Sequence, residues 1–476
     1  MHVRAPDVPL CVDLDGTLLK VDTFWESLVL LGRHHPFSLF SLPLRLFRGK
    51  AHLKDYLAEK VAFEVTHLPQ NEALLTFLRE EKAQGRHLVL VTGAPRRIAQ
   101  AVSDFIGLFD EVLCSDRGVN LTGHRKAALL EEKFGKGGFD YVGNAAVDLK
   151  VWPSARAAIV VNASSGLVRR AKAVSQVSHT FDDAPAKGPA FLRAIRWHQW
   201  AKNLLLFVPV MTAHALTDEP IIRKALAAFV AFCLVSSSVY LWNDLIDLRS
   251  DRRHPRKRHR PLAAGVLSIP VAVAAAPLFL AAGLLIAHTI TPSFLGVLLG
   301  YVALTFAYSF YFKRVVLIDV LILAGLYTIR IIAGHEATGV MYSMWLLLFA
   351  MFFFLSLALI KRYCELDAFH KEAKSEIVGR GYVTDDRVMV ATMGVASGYL
   401  SVLVLSFYVT SGDVTRLYAR PALLWLLIPI MLFWISRIWL LAHRGSVHED
   451  PVLFALKDPV SYLLGAVTAV VMAVAT

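Results

Sequence analysis

Apolar and polar positions divide the chain into two parts with different patterns. Residues 1–190 carry charges throughout and only short apolar strings, whereas the rest is a series of apolar runs of roughly 20 residues, about the length that spans a bilayer. The pattern predicts a soluble N-terminal domain followed by an all-α polytopic membrane domain of nine transmembrane helices. These nine predicted spans lie near 203–217, 224–243, 268–290, 293–312, 316–334, 341–360, 389–410, 420–442 and 458–475.

The N-terminal part alternates short apolar strands with helical segments. A strand near residues 8–12 runs into "DLDGT", and "RHLVLVTGAP", "FDEVLCSD" and "GFDYVGNAAVD" repeat the pattern of a strand followed by a turn. This alternation predicts a doubly wound, Rossmann-like α/β sheet that binds ligands at the carboxyl ends of its strands. The segment "DDAPAKGPA" (182–190) has the composition of a linker. We therefore expect domains at 1–181 and 191–476.

Basic residues are concentrated in the loops that follow the even-numbered spans. The 244–267 loop has seven lysines and arginines, Lys313 and Arg314 follow the fourth span, and the 361–388 loop has six. By the positive-inside rule, the N-terminal domain and these loops face the cytoplasm and the C-terminus lies outside. The start "MHVRAPDVPLCVDLDG" lacks a long apolar stretch, so we expect no signal peptide.

Composition adds little to this picture. Hydrophobic residues make up 56% of the chain, too many for an ordinary soluble enzyme. The net charge of +12 suits nucleic acid, anionic lipid or a phosphorylated substrate, but in a membrane protein much of it is the positive-inside bias, and we expect no nucleic-acid partner. The four cysteines are widely separated and form no CxxC pair, which favours neither a zinc site nor a disulfide framework.

The N-terminal part carries residues suited to phosphoryl transfer. Asp13 and Asp15 follow a strand two residues apart and therefore point the same way. Thr92 ends a second strand, Lys126 begins a helix and Asp148 follows a third strand. Transfer through an aspartyl phosphate needs these groups: a carboxylate attacks, another protonates the leaving oxygen, a hydroxyl and an ammonium neutralise the phosphoryl oxygens, and a further acid holds Mg²⁺.

These motifs resemble the haloacid dehalogenase-like phosphohydrolase superfamily across about residues 7–165. The resemblance implies that Asp13 is the nucleophile, that Asp15 is the general acid/base, and that residues 20–84 form an inserted helical cap. It also implies that Thr92 and Lys126 bind phosphate, and that Mg²⁺ is held by Asp13, Asp15 (through its backbone) and Asp148.

This chain departs from that family at Asn144, where the family often carries an acid. A catalytically inactive domain is therefore one alternative. Lys133 is a rival for the phosphate-binding lysine, although its setting "EEKFG" suits a solvated helix face better.

A second acidic motif, "NDLIDLRSDRRHPRKRHRPLAAG", occupies residues 243–265. Asp244, Asp247 and Asp251 are spaced three and four residues apart, which predicts one face of a helix that emerges from the second span. Carboxylates this close repel one another unless a divalent cation lies between them, and oxygen ligands suit Mg²⁺ shared with substrate phosphates. The motif predicts a Mg²⁺–diphosphate site at the membrane surface. The alternative is that the loop is only a topology signal that binds anionic lipid. That alternative explains the bases but not the three aspartates.

This loop resembles the UbiA-type intramembrane prenyltransferase superfamily over about residues 190–476, together with "RWHQWAKNLLLFVP", "YSFYFKRVVLIDVLILAGLYTIRIIAG" and "KRYCEL". The continuation "HPRKRHRPLAAG" is most similar to the decaprenyl-phosphate 5-phosphoribosyltransferase branch. The resemblance implies that Asp244 and Asp247 are catalytic, and that Mg²⁺ is held by Asn243, Asp244, Asp247 and Asp251. Candidate phosphate contacts are Lys202, Arg252, Lys257, Arg260, Tyr308, Lys313, Lys361 and Arg362. Asp319 and Arg330, inside an apolar span, are either functional or seat helices against each other.

Together the two resemblances imply a bifunctional, Mg²⁺-dependent enzyme of the cytoplasmic (inner) membrane of a bacterium. It would transfer 5-phosphoribose from phosphoribosyl diphosphate to polyprenyl phosphate and then remove the 5-phosphate, giving a pentose donor for cell-envelope glycans. Oligomers are possible. One alternative is a prenyltransferase that attaches a prenyl chain to an aromatic or small acceptor, although a second DxxxD motif is not evident after span six, where only Glu365 and Asp367 occur. Another alternative is a non-catalytic lipid-binding scaffold.

Overall fold

The structure, a computed structural model, describes residues 8–116, 119–371, 381–447 and 450–476. The chain forms two compact units. The first consists of Met1–Ile195 with Tyr240–Ala275, and the second of Arg196–Val239 with Ala276–Thr476. The domain limits set by the linker at 182–190 stay a prediction. Residues 372–380 of the predicted basic loop lie outside the described residues.

The first unit contains a six-stranded parallel sheet in the order β3-β2-β1-β4-β5-β6. The strands are β1 Leu10–Val12, β2 Leu88–Pro95, β3 Glu111–Ser115, β4 Asp140–Gly143, β5 Ala157–Val161 and β6 Val177–Phe181. Strand order reverses at β1, where Val12 pairs with both Leu90 and Val142, so the carboxyl ends of β1, β2 and β4 meet. Doubly wound sheets bind ligands at such a switch point. The predicted α/β fold is confirmed.

Helices cover both faces of this sheet. They are α1 Thr23–His34, α2 Leu42–Phe47, α3 Lys50–Lys60, α4 Glu72–Ala83, α5 Arg96–Ile106, α6 His124–Phe134, α7 Ser165–Val174 and α8 Lys187–Ala194. The first four lie between β1 and β2, in the predicted cap. Side chains alternate along β1, so Leu10 and Val12 enter one apolar core while Cys11 enters the other. Two cores, one on each face, fix the ends of the central strands.

The rest of the chain is helical. The helices are α9 Val208–Thr212, α10 Glu219–Ile246, α11 Leu248–Arg253, α12 Ile269–Ile290, α13 Pro292–Phe310, α14 Ile318–Thr338, α15 Met344–Lys371, α16 Arg387–Thr410, α17 Gly412–Leu417, α18 Leu427–His443, α19 Pro451–Ala455 and α20 Pro459–Ala475. Within the described ranges, seven helical segments are long and apolar enough to cross a membrane. They are Glu219–Ile246, Ile269–Ile290, Pro292–Phe310, Ile318–Thr338, Met344–Lys371, Thr384–Thr410 and Pro421–His443.

The predicted count of nine spans is not confirmed. The predicted span 203–217 falls on a 3₁₀ segment, Trp197–Phe207, followed by the short helix α9. The predicted span 458–475 corresponds to α20, which is apolar but has only 17 residues. Helix α15 continues past its apolar run to Lys371, so the predicted loop at 361–388 begins as helix.

Candidate functional site

Asp13 and Lys126 form a buried pair at the carboxyl ends of the central strands. Asp13 directly follows β1, and its Oδ1 accepts a hydrogen bond from Lys126 Nζ at 2.6 Å. Lys126, in the first turn of α6, also donates to the carbonyl of Val91 at 3.1 Å and to the hydroxyl of Tyr141 at 2.9 Å. All three ammonium protons therefore have partners, which fixes the cation beside the carboxylate.

Asp148 lies in a 3₁₀ turn, Ala146–Lys150, just after β4. Its Oδ1 accepts from the Tyr141 hydroxyl at 3.0 Å, and its Oδ2 accepts from the backbone N–H groups of Asn144 and Ala145 at 3.0 and 2.9 Å. Burial, followed by the nearby Asp13, raises the pKa of Asp148 to about 6. Tyr141 therefore bridges Lys126 and Asp148. Sequence analysis missed it, because a tyrosine inside a strand is typical of a core residue.

Asp15 is held by the start of the cap. Its Oδ1 accepts from the backbone N–H of Thr23, the first residue of α1, at 2.7 Å. Burial, followed by the neighbouring Asp22, raises the pKa of Asp15 to about 7. A carboxyl group with such a pKa gives up and takes back a proton near neutral pH, as a general acid/base must.

Thr92 and a cap lysine lie at the end of β2. Thr92 is fully buried, and its Oγ1 accepts from the N–H of Ala94 at 3.0 Å. Lys54 of α3 donates to the carbonyl of Gly93 at 2.7 Å and to Asn120 Oδ1 at 3.2 Å, and burial lowers its pKa. Sequence analysis missed Lys54, since one lysine on a cap helix carries no motif. The rival Lys133 forms a surface ion pair with Glu111.

The oxygen atoms around Asp13 and Asp148 fit Mg²⁺. Within the described residues, no group of three or more His, Cys, Asp or Glu side chains is placed to hold a metal. Asn144 adds a third oxygen to the candidate Mg²⁺ ligands Asp13 and Asp148, because its Oδ1 is buried without a hydrogen-bond partner. Gly16 has a φ of +76°, and a Cβ there would lie 2.3 Å from Asn144 Nδ2, so the motif glycine lets Asn144 approach the turn. Two carboxylates and an unpaired amide oxygen are ligands that Mg²⁺ accepts.

The second acidic motif brings two of its three aspartates together. Helix α10 ends at Ile246 and α11 begins at Leu248, so the predicted single helix is interrupted at Asp247. Even so, Asp244 Oδ1 and Asp251 Oδ2 accept from the same Arg260 nitrogen, at 3.1 and 2.6 Å. Both carboxylates are buried; burial raises the pKa of Asp251 and Arg260 opposes that rise. This oxygen-only pair fits a hard divalent cation. Asn243 and Asp247 are half-buried.

The bases that follow the aspartates have different surroundings. Arg252 donates from Nη1 and Nη2 to the carboxylate of Glu26 in α1, and from Nε to the carbonyl of Ala263 at 3.0 Å. Arg249 and Arg253 both pair with Glu64. A buried carboxylate neutralises Arg252, and its phosphate contact stays a prediction. Lys257 is exposed, and its phosphate contact stays a prediction.

In the second unit, two predicted phosphate contacts converge near Asp450. Lys202 Nζ lies 2.6 Å from Asp450 Oδ2, and the Tyr327 hydroxyl donates to Asp450 Oδ1 at 3.1 Å. Burial lowers the pKa of Lys202 to about 8, with Lys361 adding to the effect. Burial alone would raise the pKa of Asp450, but Lys202 and Lys361 together lower it to about 2. Sequence analysis missed Asp450, which stands alone before Pro451.

Arg362 is fully enclosed between helices. Its Nη2 lies 2.6 Å from Asp319 Oδ2, it also pairs with Glu365, and the Tyr382 hydroxyl donates to Asp319 Oδ1 at 2.7 Å. The fully buried Arg362 is thus neutralised inside the bundle, and its phosphate contact stays a prediction. A pair between Asp319 and Arg362 is what we expect if Asp319 seats helices. Tyr308 and Lys313 are half-buried at and after the end of α13, and their phosphate contacts stay predictions.

Comparison with known proteins covers both parts of the chain. The model of the UbiA prenyltransferase family matches residues 204–457, and the model of the haloacid dehalogenase-like hydrolase matches residues 10–138. The uncharacterized protein y4nM of Sinorhizobium fredii is 37% identical over 97% of this chain and 90% of its own length. The nodulation protein NoeC of Azorhizobium caulinodans is 35% identical over 56% of this chain and 87% of its own. A decaprenyl-phosphate phosphoribosyltransferase of Mycolicibacterium smegmatis is 32% identical over 60% of this chain and 94% of its own length.

Proposed function

The chain belongs to the UbiA prenyltransferase family, and from this premise we propose that it is a bifunctional membrane enzyme. Its membrane part transfers 5-phosphoribose from phosphoribosyl diphosphate to a polyprenyl phosphate, and its N-terminal part then removes the 5-phosphate. One observation carries the proposal: a phosphatase-type cluster of Asp13, Asp15, Lys126 and Asp148 shares a chain with a transferase similar to a decaprenyl-phosphate phosphoribosyltransferase. The product of such a transfer carries a 5-phosphate monoester on its ribose, and phosphate monoesters are the substrate class of that cluster.

In the dephosphorylation, Asp13 attacks the phosphorus atom and Asp15 protonates the departing ribose oxygen. Asp15 then takes a proton from the water that hydrolyses the aspartyl phosphate, a cycle that suits a pKa near 7. Lys126 holds the Asp13 carboxylate in place through its contact of 2.6 Å. Asp13, Asp148, the Asp15 backbone and Asn144 would hold Mg²⁺, which would neutralise charge on the phosphoryl oxygens.

In the transfer, the bond between the anomeric carbon and the diphosphate breaks, and the acceptor phosphate takes its place. The acceptor is already an anion, so no strong general base is needed. Asp244, Asp247 and Asp251 with Asn243 would hold Mg²⁺, which would neutralise the charge of the departing diphosphate. Arg260, which already contacts two of these carboxylates, turns to the diphosphate oxygens through its planar donors. Lys202 and Lys361 are the phosphate contacts we propose in the second unit.

Product analysis tests both halves at once. Purified full-length protein is incubated with Mg²⁺, ribose-labelled phosphoribosyl diphosphate and polyprenyl phosphate, and the lipids are identified by mass spectrometry. We expect lipid-linked ribose from the wild type, lipid-linked phosphoribose from Asp13→Asn, and no labelled lipid from Asp244→Asn. Lys133→Met is the matched control for Lys126→Met, because both lysines lie on α6 and only Lys126 contacts Asp13.

Two results contradict the proposal. If Asp13→Asn gives the same product as the wild type, the N-terminal part does not act on the lipid-linked phosphate. If label moves from prenyl diphosphate to an aromatic acceptor and not from phosphoribosyl diphosphate, the membrane part is an aromatic prenyltransferase.

A further inference from the structure

Four bulky apolar side chains project from one short segment of the predicted cap. This segment, here called the cap patch, comprises the 3₁₀ helix Pro36–Ser41 and α2. Its Phe37, Phe40, Leu44 and Phe47 are 85, 82, 75 and 92% exposed, more than any other large apolar side chain in the described residues of the first unit. A soluble surface rarely leaves such a patch in water, so another apolar surface is expected to cover it.

The cap patch is folded against the cap and is not a loose loop. Leu42 packs on the buried cluster that contains Leu31, Leu53 and Leu57. The guanidinium of Arg45 lies 3.5 Å from the centre of the Tyr56 ring on α3. The inward contacts therefore hold the segment in place, while its phenylalanines face outward.

The charges around the cap patch indicate which kind of surface covers it. Between Glu26 and Asp55 the sequence has no acidic residue, and it carries five lysines and arginines and three histidines. The exposed ones, which can meet lipid headgroups, are Arg33, His34, His35, Arg48 and Lys50; Arg45, His52 and Lys54 are half-buried. Aromatic and leucine side chains beside bases, without acids, are complementary to the headgroup boundary of an anionic bilayer. The apolar helices of the same chain already require a bilayer.

We propose that the cap patch binds the surface of an anionic membrane, with its phenylalanines at the boundary between headgroups and acyl chains. Helix α3 begins three residues after the cap patch ends, and it carries Lys54 to the carbonyl of Gly93 beside Thr92. Helix α3 thus links the cap patch to the candidate phosphatase site. In an extension that rests on the proposed function, this contact delivers a lipid-linked phosphate to Asp13 from the bilayer.

Photolabelling in a bilayer tests the proposal without any substrate. Full-length protein is placed in nanodiscs that contain a phospholipid with a diazirine in its upper acyl chain, and adducts are mapped by mass spectrometry. We expect adducts on residues 36–48 in nanodiscs with anionic lipid, a lower yield in neutral lipid, and loss of these adducts in the Phe40→Ser/Phe47→Ser variant. Phe105→Ser, which removes a partly exposed phenylalanine from α5, should leave the labelling unchanged.

Other outcomes overturn the proposal. Absence of adducts on 36–48 while the apolar helices are labelled excludes membrane contact, and crosslinks from this segment to a second copy of the chain assign it to a protein interface. Equal labelling in neutral and anionic bilayers removes the role given to the bases. Unchanged thermal unfolding of the double variant establishes that lost labelling is not lost folding. Because no substrate is present, these results are independent of whether Asp13→Asn alters the lipid product.

Discussion

Arg252 donates from both of its terminal nitrogens to the carboxylate of Glu26, and both side chains are buried. Arg252 belongs to the acidic segment at the proposed transferase site, whereas Glu26 belongs to α1 of the cap. The N-terminal residue of α1, Thr23, donates its N–H to Asp15. One helix thus connects a base of the transferase motif to the proposed general acid of the phosphatase.

Removing Arg252 should destabilise the first unit. Arg252→Ala leaves Glu26 buried without its partner, which costs about 3–5 kcal/mol. Arg253→Ala is the matched control, because Arg253 is more than half exposed in its pair with Glu64 and such pairs contribute about 0–1 kcal/mol. Thermal unfolding of the purified protein measures both. The double variant Arg252→Met/Glu26→Leu should recover most of the loss, and equal melting of the two single variants would contradict this role.

The Tyr141 hydroxyl should matter for dephosphorylation although it touches no substrate. Tyr141→Phe removes the oxygen that accepts from Lys126 and donates to Asp148, while it keeps the ring in the core. The variant loses two hydrogen bonds of about 0.5–1.5 kcal/mol each, and a loss of about 1–1.5 kcal/mol in the transition state predicts roughly tenfold slower phosphate release. The rate of transfer to polyprenyl phosphate should not change. A variant with wild-type phosphate release would show that Tyr141 is only a packing residue.

Asn144→Asp should strengthen the response to Mg²⁺. The unpartnered amide oxygen becomes a carboxylate beside two others, so repulsion destabilises the metal-free protein while a divalent cation gains an anionic ligand. We expect the melting temperature without Mg²⁺ to fall and the upward shift on adding Mg²⁺ to exceed that of the wild type. Asn71→Asp is a control for a buried asparagine elsewhere in the first unit. If Mg²⁺ shifts both variants equally, Asn144 is not near the metal.

Lowering the pH should destabilise the first unit, because Asp140 becomes protonated and its contacts with Arg156 and Arg86 weaken. Burial alone would raise the pKa of Asp140, but hydrogen bonds from Arg156 and Arg86 outweigh it and hold the pKa below its usual value near 4. The unfolded state then binds more protons over this window, so the stabilisation is present above about pH 4 and is lost as pH falls through the folded pKa. Melting temperatures between pH 5 and pH 3 should fall less steeply in Asp140→Asn than in the wild type. Asp104→Asn, on the exposed face of α5, should follow the wild type.

Sequence motifs placed the candidate phosphatase residues at strand ends, and strand ends constrain position. Once β1, β2 and β4 are parallel neighbours, the residues after them must meet, and the structure brings Asp13, Lys126 and Asp148 to one place. The apolar runs likewise predicted the seven helical segments that are long and apolar enough to cross a membrane, but the predicted spans 203–217 and 458–475 are not confirmed. They misjudged α15, because its helix continues through polar residues that hydropathy counts as loop.

Such motifs could not identify contacts between residues that are far apart in the sequence. Tyr141 resembles a core residue, Lys54 an ordinary cap lysine, and Asp450 an isolated acid. The sequence predicts that Arg252 contacts phosphate because the residues near it are bases, and it could not show the contact with Glu26, which lies 226 residues away. Local charge patterns identify a candidate site, but they do not show which charges the protein itself neutralises.

The inclusion of Tyr240–Ala275 in the first unit bears on how this protein can be dissected. A protease cut within 182–190 would place Glu26 and Glu64 on one fragment and the arginines that neutralise them on the other. The released N-terminal fragment should therefore melt at a lower temperature than the same region of the intact chain. The proposed phosphatase and transferase sites would then depend on the folding of one unit. A chain of only the first 195 residues would lack the part of that unit formed by Tyr240–Ala275.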